Sequence, residues 1–204
     1  MRYIVVAIAA VGLAGCATMS EEQCLAGDWY GQGFNDGAAG HAYSRLNDHT
    51  EACARHGVYP DPSAYSAGRD QGLRQYCTPA NGFRVGRSGS AYSGVCPADL
   101  ERDFLYGHAD GRLLWDADQR VNSAVNAENQ ARNRIRQLEA DIRVEEDSLS
   151  DSALTDAQRD TIRARIRRMR DDIDRAWDDV RRAERDVEYA RREVVDLERR
   201  LSVY

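Results

Sequence analysis

The chain contains no lysine: all 28 basic residues among its 204 are arginine. A Gly-x-x-x-x-Gly-Lys-Ser/Thr phosphate loop is therefore excluded, because its lysine must reach the phosphates. Gly-x-Ser-x-Gly, His-Glu-x-x-His and Cys-x-x-Cys do not occur either. Their absence removes the nucleophile elbow, the zinc-protease helix and the dithiol redox pair. Apolar runs fall far short of the ~20 residues that span a bilayer. Proline is scarce, at four residues, with none after Pro97, and no cysteine follows Cys96. The formal charge of -6 argues against nucleic acid as a partner. These absences lead to the expectation of a non-enzymatic protein without a cofactor or a metal.

What is present begins at the N-terminus. Arg2, the apolar segment Ile4 to Val11 and the small pair Ala14-Gly15 form a short export leader that ends in Leu13-Ala14-Gly15-Cys16. This ending resembles the lipobox of bacterial lipoproteins. The resemblance implies that residues 1–15 are a signal peptide, that Cys16 is acylated (palmitate included) and starts the mature chain, and that the protein is bound to the membrane. Ala rather than Asp at position 17 resembles an outer-membrane address, with the protein facing the periplasm. Four cysteines remain, Cys24, Cys53, Cys77 and Cys96. An even number behind an export signal reads as two disulfides in an oxidising compartment. Cys77 and Cys96 stand 19 positions apart on either side of a glycine-rich stretch, so they are expected to pair and to leave Cys24 with Cys53.

Composition changes near Pro97. Residues 16–96 are rich in Gly, Tyr and Cys, whereas 97–204 hold 26 acids and 21 arginines. The first part is too small for a large core, which makes cross-links important to its stability. It carries an internal repeat that crosses the boundary. Trp29-Tyr30 precede Gly33 and Gly37, Tyr65 precedes Gly68 and Gly72, and Phe104 and Tyr106 precede Gly107 and Gly111, each glycine pair enclosing an acid. Helix-start signals stand upstream at Ser20, Asp61-Pro62 and Pro97. On a helix, glycines four apart clear one stripe for a second backbone. Each costs ~1 kcal/mol of propensity, so a pair on one face calls for a packing gain. Three short helices crossing at their glycines are expected.

The lipobox, the repeated aromatic-x-x-Gly-x-x-x-Gly units, Tyr76-Cys77 and the run Tyr92-Ser93-Gly94-Val95-Cys96-Pro97 together resemble a family of small bacterial envelope lipoproteins of unknown function. The likeness covers about residues 16–115. It implies an architecture and no catalytic residue.

The rest reads as a coiled-coil helical hairpin with arms at about 97–149 and 156–204. Ile162, Ile166, Met169, Ile173, Ala176, Val180, Ala183, Val187, Ala190, Val194, Leu197 and Leu201 alternate steps of four and three, which is a heptad seam. An earlier seam runs Leu114, Ala117, Val121, Ala124, Glu128, Ala131, Ile135, Leu138, Ile142, Glu145, Leu149. Thr155-Asp156-Ala157-Gln158 is a capping box that restarts a helix after a short turn, so the arms should be antiparallel. Folding the chain about Ser152 makes facing numbers sum to about 304, which sets Ile135 against Met169 and Leu138 against Ile166.

Three further features invite chemistry. His49, Cys53 and His56 stand at i, i+4 and i+7, a spacing able to hold a metal. A fourth ligand is missing and Cys53 is wanted for a disulfide, so structure is the preferred reading. Gly82, Gly86, Gly89 and Gly94 resemble an anion cradle with Arg84 and Arg87, though a flexible disulfide-closed loop fits them better. Trp115 and Trp177 flank the seams. The expected fold is all-α, a small disulfide-stapled helical base followed by the hairpin. The expected function is a lipid-anchored structural or interaction protein of the cell envelope, with a protein or peptidoglycan partner. The alternative is a base that binds an anion, a glycan or a small molecule.

Overall fold

The computed structural model describes residues 18–202, and Cys16 with its leader lies outside them. Every regular element among the described residues is helical: α1 (Glu21–Ala26), α2 (Trp29–Ala38), α3 (Arg45–Ala54), α4 (Pro62–Tyr76), α5 (Pro79–Arg87), α6 (Ala98–Ser148) and α7 (Asp156–Arg200). None of them is long and apolar enough to cross a membrane. The chain divides into two compact units. One takes the described residues through Gly82 together with Ala91–Tyr106, and the other takes Phe83–Ser90 together with Gly107 onward.

In the first unit, α1 opens on a capping box between Ser20 and Gln23 and closes on Gly27 at φ 63°. Asp28 then caps α2 by accepting a hydrogen bond from the backbone N–H of Gly31. The first glycine helix thus starts at Trp29 rather than at Ser20, because a left-handed Gly27 ends the helix that Ser20 starts. Asp61 caps α4 with Pro62 in its first turn.

Helices α2 and α4 cross at their glycines. A Cβ on Gly33 would stand 2.0 Å from the carbonyl oxygen of Tyr65, and one on Gly37 would stand 2.2 Å from that of Arg69. In return, Gly68 would meet the Tyr30 oxygen at 2.0 Å and Gly72 the Phe34 oxygen at 2.1 Å. Facing numbers rise together, so the two helices run parallel, each laying its carbonyls into the other's bare stripe. Beside this crossing, Met19, Cys24, Trp29, Leu46, Cys53 and Tyr65 form one core, with Val58 packed against it. Cys24 is bonded to Cys53 and Cys77 to Cys96. Near the second bond Phe104 is fully buried, stacked on Tyr76 at 5.3 Å and tilted against Tyr92 at 5.0 Å.

The second unit corrects the reading of residues 77–96 as a flexible loop. Residues 79–87 form α5, which starts where the Thr78 hydroxyl accepts from Asn81 N–H and Pro79 takes the first turn. A Cβ on Gly86 would stand 2.1 Å from the His108 carbonyl oxygen, and one on Gly111 the same distance from that of Phe83. This is a second parallel crossing, between α5 and the start of the hairpin arm α6. The expected trio of short helices is therefore two pairs, and Gly107 and Gly111 belong to a helix of 51 residues. Only Gly89 and Gly94 of the former anion cradle stand outside helices, both with positive φ.

Helices α6 and α7 form the antiparallel hairpin, with the turn at 149–155. Leu114 and Ala117 pack with Leu197, Ile135 with Ala176 and Val180, and Ile142 with Ile162 and Ile166. Leu114 with Leu197 and Ile135 with Ala176 give facing numbers that sum to 311, one heptad beyond the expected 304. Ile135 is thus set against Ala176 and not Met169. Ion pairs joining Arg120 to Glu193, Arg132 to Glu184 and Arg165 to Glu145 follow the same register. The reason lies in the turn. After Ser148 the backbone keeps winding through i→i+3 bonds as far as Asp151. The Arg159 guanidinium then donates to the carbonyls of Leu149 at 2.6 Å and Asp151 at 2.7 Å. Leu149 and Leu154 seal the end of the Ile162 cluster, so the register is centred at 155–156 although the turn itself occupies 149–155. The two acids in the α6 seam keep arginine partners, Glu128 with Arg132 and Glu145 with Arg165, which offsets the cost of placing charge beside an apolar stripe.

Candidate functional site: a buried Asp–His–Tyr cluster

The densest polar chemistry lies in the first unit, inside the core beside the α2–α4 crossing. Helix α3 turns Leu46, His49, Ala52 and Cys53 inward, at i, i+3, i+6 and i+7. His49 is fully buried, so both its ring nitrogens need partners. Nε2 lies 2.6 Å from Asp36 Oδ2, and Nδ1 lies 2.8 Å from the hydroxyl of Thr18. Facing a carboxylate, Nε2 carries a proton, and Nδ1 shares a hydrogen bond with the Thr18 hydroxyl. The Tyr65 hydroxyl donates to the same Asp36 Oδ2 at 2.8 Å. Gln32 Nε2 lies 3.4 Å from Asp36 Oδ1 and 3.4 Å from His49 Nε2. Burial, and then the hydrogen bond and negative charge of Asp36, hold the Tyr65 phenol well above its ordinary pKa, while Arg69 and Arg45 act the other way. Arg69 is itself buried and donates from Nε and Nη2 to the carbonyl of His41, at 3.1 and 2.8 Å, pinning the loop after α2.

The glycine crossing explains the cluster. Asp36 lies between Gly33 and Gly37 on α2, and Tyr65 is the residue whose carbonyl Gly33 admits. Backbone contact brings the phenol within reach of the carboxylate.

Hydroxyl, imidazole and carboxylate stand here in the order used for acyl transfer. Yet His49 has no exposed surface, and every polar atom of its ring is engaged within the chain. These hydrogen bonds tie Thr18, α2, α3 and α4 together. The metal reading of His49, Cys53 and His56 fails on geometry: Cys53 is consumed by its bond to Cys24. His56 Nδ1 lies instead 3.8 Å from Glu21 Oε1. Among the described residues no cluster of three or more metal-ligating side chains occurs.

Other residues singled out in the sequence take structural places. Trp115 lies under the Arg112 guanidinium, 4.1 Å from its ring centre, and that guanidinium donates to the Gly89 carbonyl at 3.0 Å. Arg87 pairs with Asp118. Trp177 is exposed on α7.

Residues 28–113 match DUF2799, a family of proteins of unknown function. The matched stretch opens on Asp28, the cap of α2, and ends two residues beyond Gly111. It contains both glycine crossings and Gln32, Asp36, His49 and Tyr65. Thr18, Cys24 and the greater part of the hairpin lie outside it. No curated protein and no solved structure matches the chain.

Proposed function

We propose that this chain is a lipid-anchored structural or interaction protein of the bacterial envelope, held at the outer membrane through Cys16 and offering its hairpin to a protein or peptidoglycan partner in the periplasm, without catalysis. The observation that carries the reading is the Leu13-Ala14-Gly15-Cys16 sequence placed ahead of a domain with two disulfides. Such bonds persist in compartments reached by export. The hairpin supports the interaction half of the reading. A groove of about 560 Å³ on α7, reaching Glu128 of α6, is lined by Val187 and Val195 together with Glu184, Glu188, Arg191 and Arg192. A lining that mixes apolar and charged side chains suits a helix or an extended segment of another protein.

Two measurements test this. Labelled palmitate should enter the wild-type chain and not Cys16→Ser, whose precursor should stay unprocessed; normal maturation of that variant defeats the anchor. Crosslinking in intact membranes should capture a partner that is lost when Val195, which is exposed, is replaced by Asp. Capture that is indifferent to this change moves the contact off the groove.

A further inference from the structure

We infer that the face of the first unit around Thr18 and Met19 is a membrane-contact surface, so that this unit rests on lipid headgroups with no linker between it and the anchor. The inference rests on the proposed acylation of Cys16. Between that residue and Thr18 there is a single position, Ala17. Two Cα steps reach at most ~7.6 Å, so Thr18 lies within that distance of the acylated residue whatever the conformation of Ala17.

Thr18 and Met19 are not spare chain. The Thr18 hydroxyl is bonded to His49, a fully buried side chain that Asp36 and Tyr65 hold in turn. Met19 is 4 % exposed in the core with Cys24, Trp29 and Cys53, its Sδ 3.9 Å from Cys53 Sγ. Ser20 already caps α1. A flexible tether would need tens of residues to lift a domain clear of the bilayer. Here the cross-linked core begins at the third residue after the anchor.

The exposed side chains next to this core suit a lipid surface. Leu25 follows the buried Cys24 and is 64 % exposed, and Tyr59 follows Val58, which packs on the core, and is 70 % exposed. Tyr43, also exposed, meets the ring of Tyr65 edge-on at 5.9 Å. Tyrosine, with an apolar ring and a polar tip, concentrates at headgroup depth.

The test uses the lipidated full-length protein in vesicles of phosphatidylethanolamine and phosphatidylglycerol, with a fluorescent amino acid at position 25 or 59 and a lipid-borne nitroxide quencher either near the headgroups or at the end of the acyl chain. Quenching at 25 and 59 by the headgroup nitroxide should exceed that by the acyl-chain nitroxide by at least threefold. Ten Gly/Ser residues inserted between Ala17 and Thr18 should halve it at 25 and 59, since such a linker adds a root-mean-square reach of ~17 Å, while circular dichroism stays unchanged. Mass spectrometry of the N-terminal peptide separates the two readings. An acylated Cys16 with quenching at 25 and 59 that the inserted linker leaves unchanged overturns the surface and leaves the anchor standing, whereas an unmodified Cys16 overturns both.

Discussion

Replacing Gly68 by Ala sets two effects of opposite sign against each other. Alanine gains ~1 kcal/mol of helix propensity over glycine. Its Cβ, however, would stand 2.0 Å from the Tyr30 carbonyl oxygen and 3.0 Å from the Phe34 nitrogen. Both are backbone atoms and cannot swing aside. Relieving the first contact requires α2 and α4 to part by about 1 Å, and a gap of that size forfeits up to half of each dispersion contact along the crossing. It also pulls Tyr65 from Asp36, whose hydrogen bond is 2.8 Å long. A gross cost of about 3 kcal/mol or more outweighs the propensity gain, leaving a net loss of about 2 kcal/mol. For a unit of this size that lowers Tm by ~8–16 °C. Thermal unfolding with disulfides intact, together with hydrogen exchange mapped to α2 and α4, measures the loss. Gly57→Ala is the comparison, because no heavy atom lies within 4 Å of its added methyl and only its φ of +71° opposes the change; it should cost ~1 kcal/mol. If Gly68→Ala matches or exceeds wild-type stability, the carbonyl-into-glycine crossing is not what holds the unit together.

Reduction of the protein should destabilise the first unit, since the cross-links at sequence separations of 29 and 19 each contribute about 3–4 kcal/mol in the chain-entropy model; urea titration with and without reductant measures the difference. In the hairpin, Ile166→Asp should cost ~3–5 kcal/mol by burying an unpaired charge, whereas Arg167→Asp at an exposed neighbour should stay within ~0.5 kcal/mol. Cysteines at 135 and 176 should join within one chain, and a preference for the 135–169 pair would refute the register. Tyr65→Phe should lose ~1–3 kcal/mol near neutral pH by leaving a buried carboxylate one donor short. The folded phenol pKa is raised above its unfolded value of about 10, so its contribution is whole below that pH and is lost as pH climbs through and beyond it. Wild-type stability should therefore fall more steeply above about pH 10 than that of Tyr65→Phe, and parallel profiles in urea titrations at rising pH would contradict the assignment.

The hairpin was legible in the sequence because a heptad seam states its own geometry, yet its register was not. Sliding one arm by a heptad leaves every seam residue facing another seam residue, and large against small survives the slide. The choice falls to the turn, where Arg159 on the carbonyls of Leu149 and Asp151 selects one alignment. Helix α5 was missed for a different reason. Glycine density read as flexibility, although Gly82 and Gly86 are four apart beside Phe83 and follow Thr78-Pro79, which is the signature that marks the other glycine helices.

The buried cluster was hidden by distance along the chain, with His49 and Tyr65 standing 13 and 29 positions from Asp36. The repeat displayed the acid and the aromatic but not their use. Asp36 is buried between its glycines, while Asp70, between Gly68 and Gly72, is exposed. An acid in that frame is therefore not itself a site. What distinguishes Asp36 is the arrival of α3, which the Cys24–Cys53 bond fixes to α1 and which brings His49 to the carboxylate. Polar residues at these positions would each be costly in a core on their own. Together they satisfy one another and fasten Thr18, at the edge of the proposed anchor, to the centre of the fold.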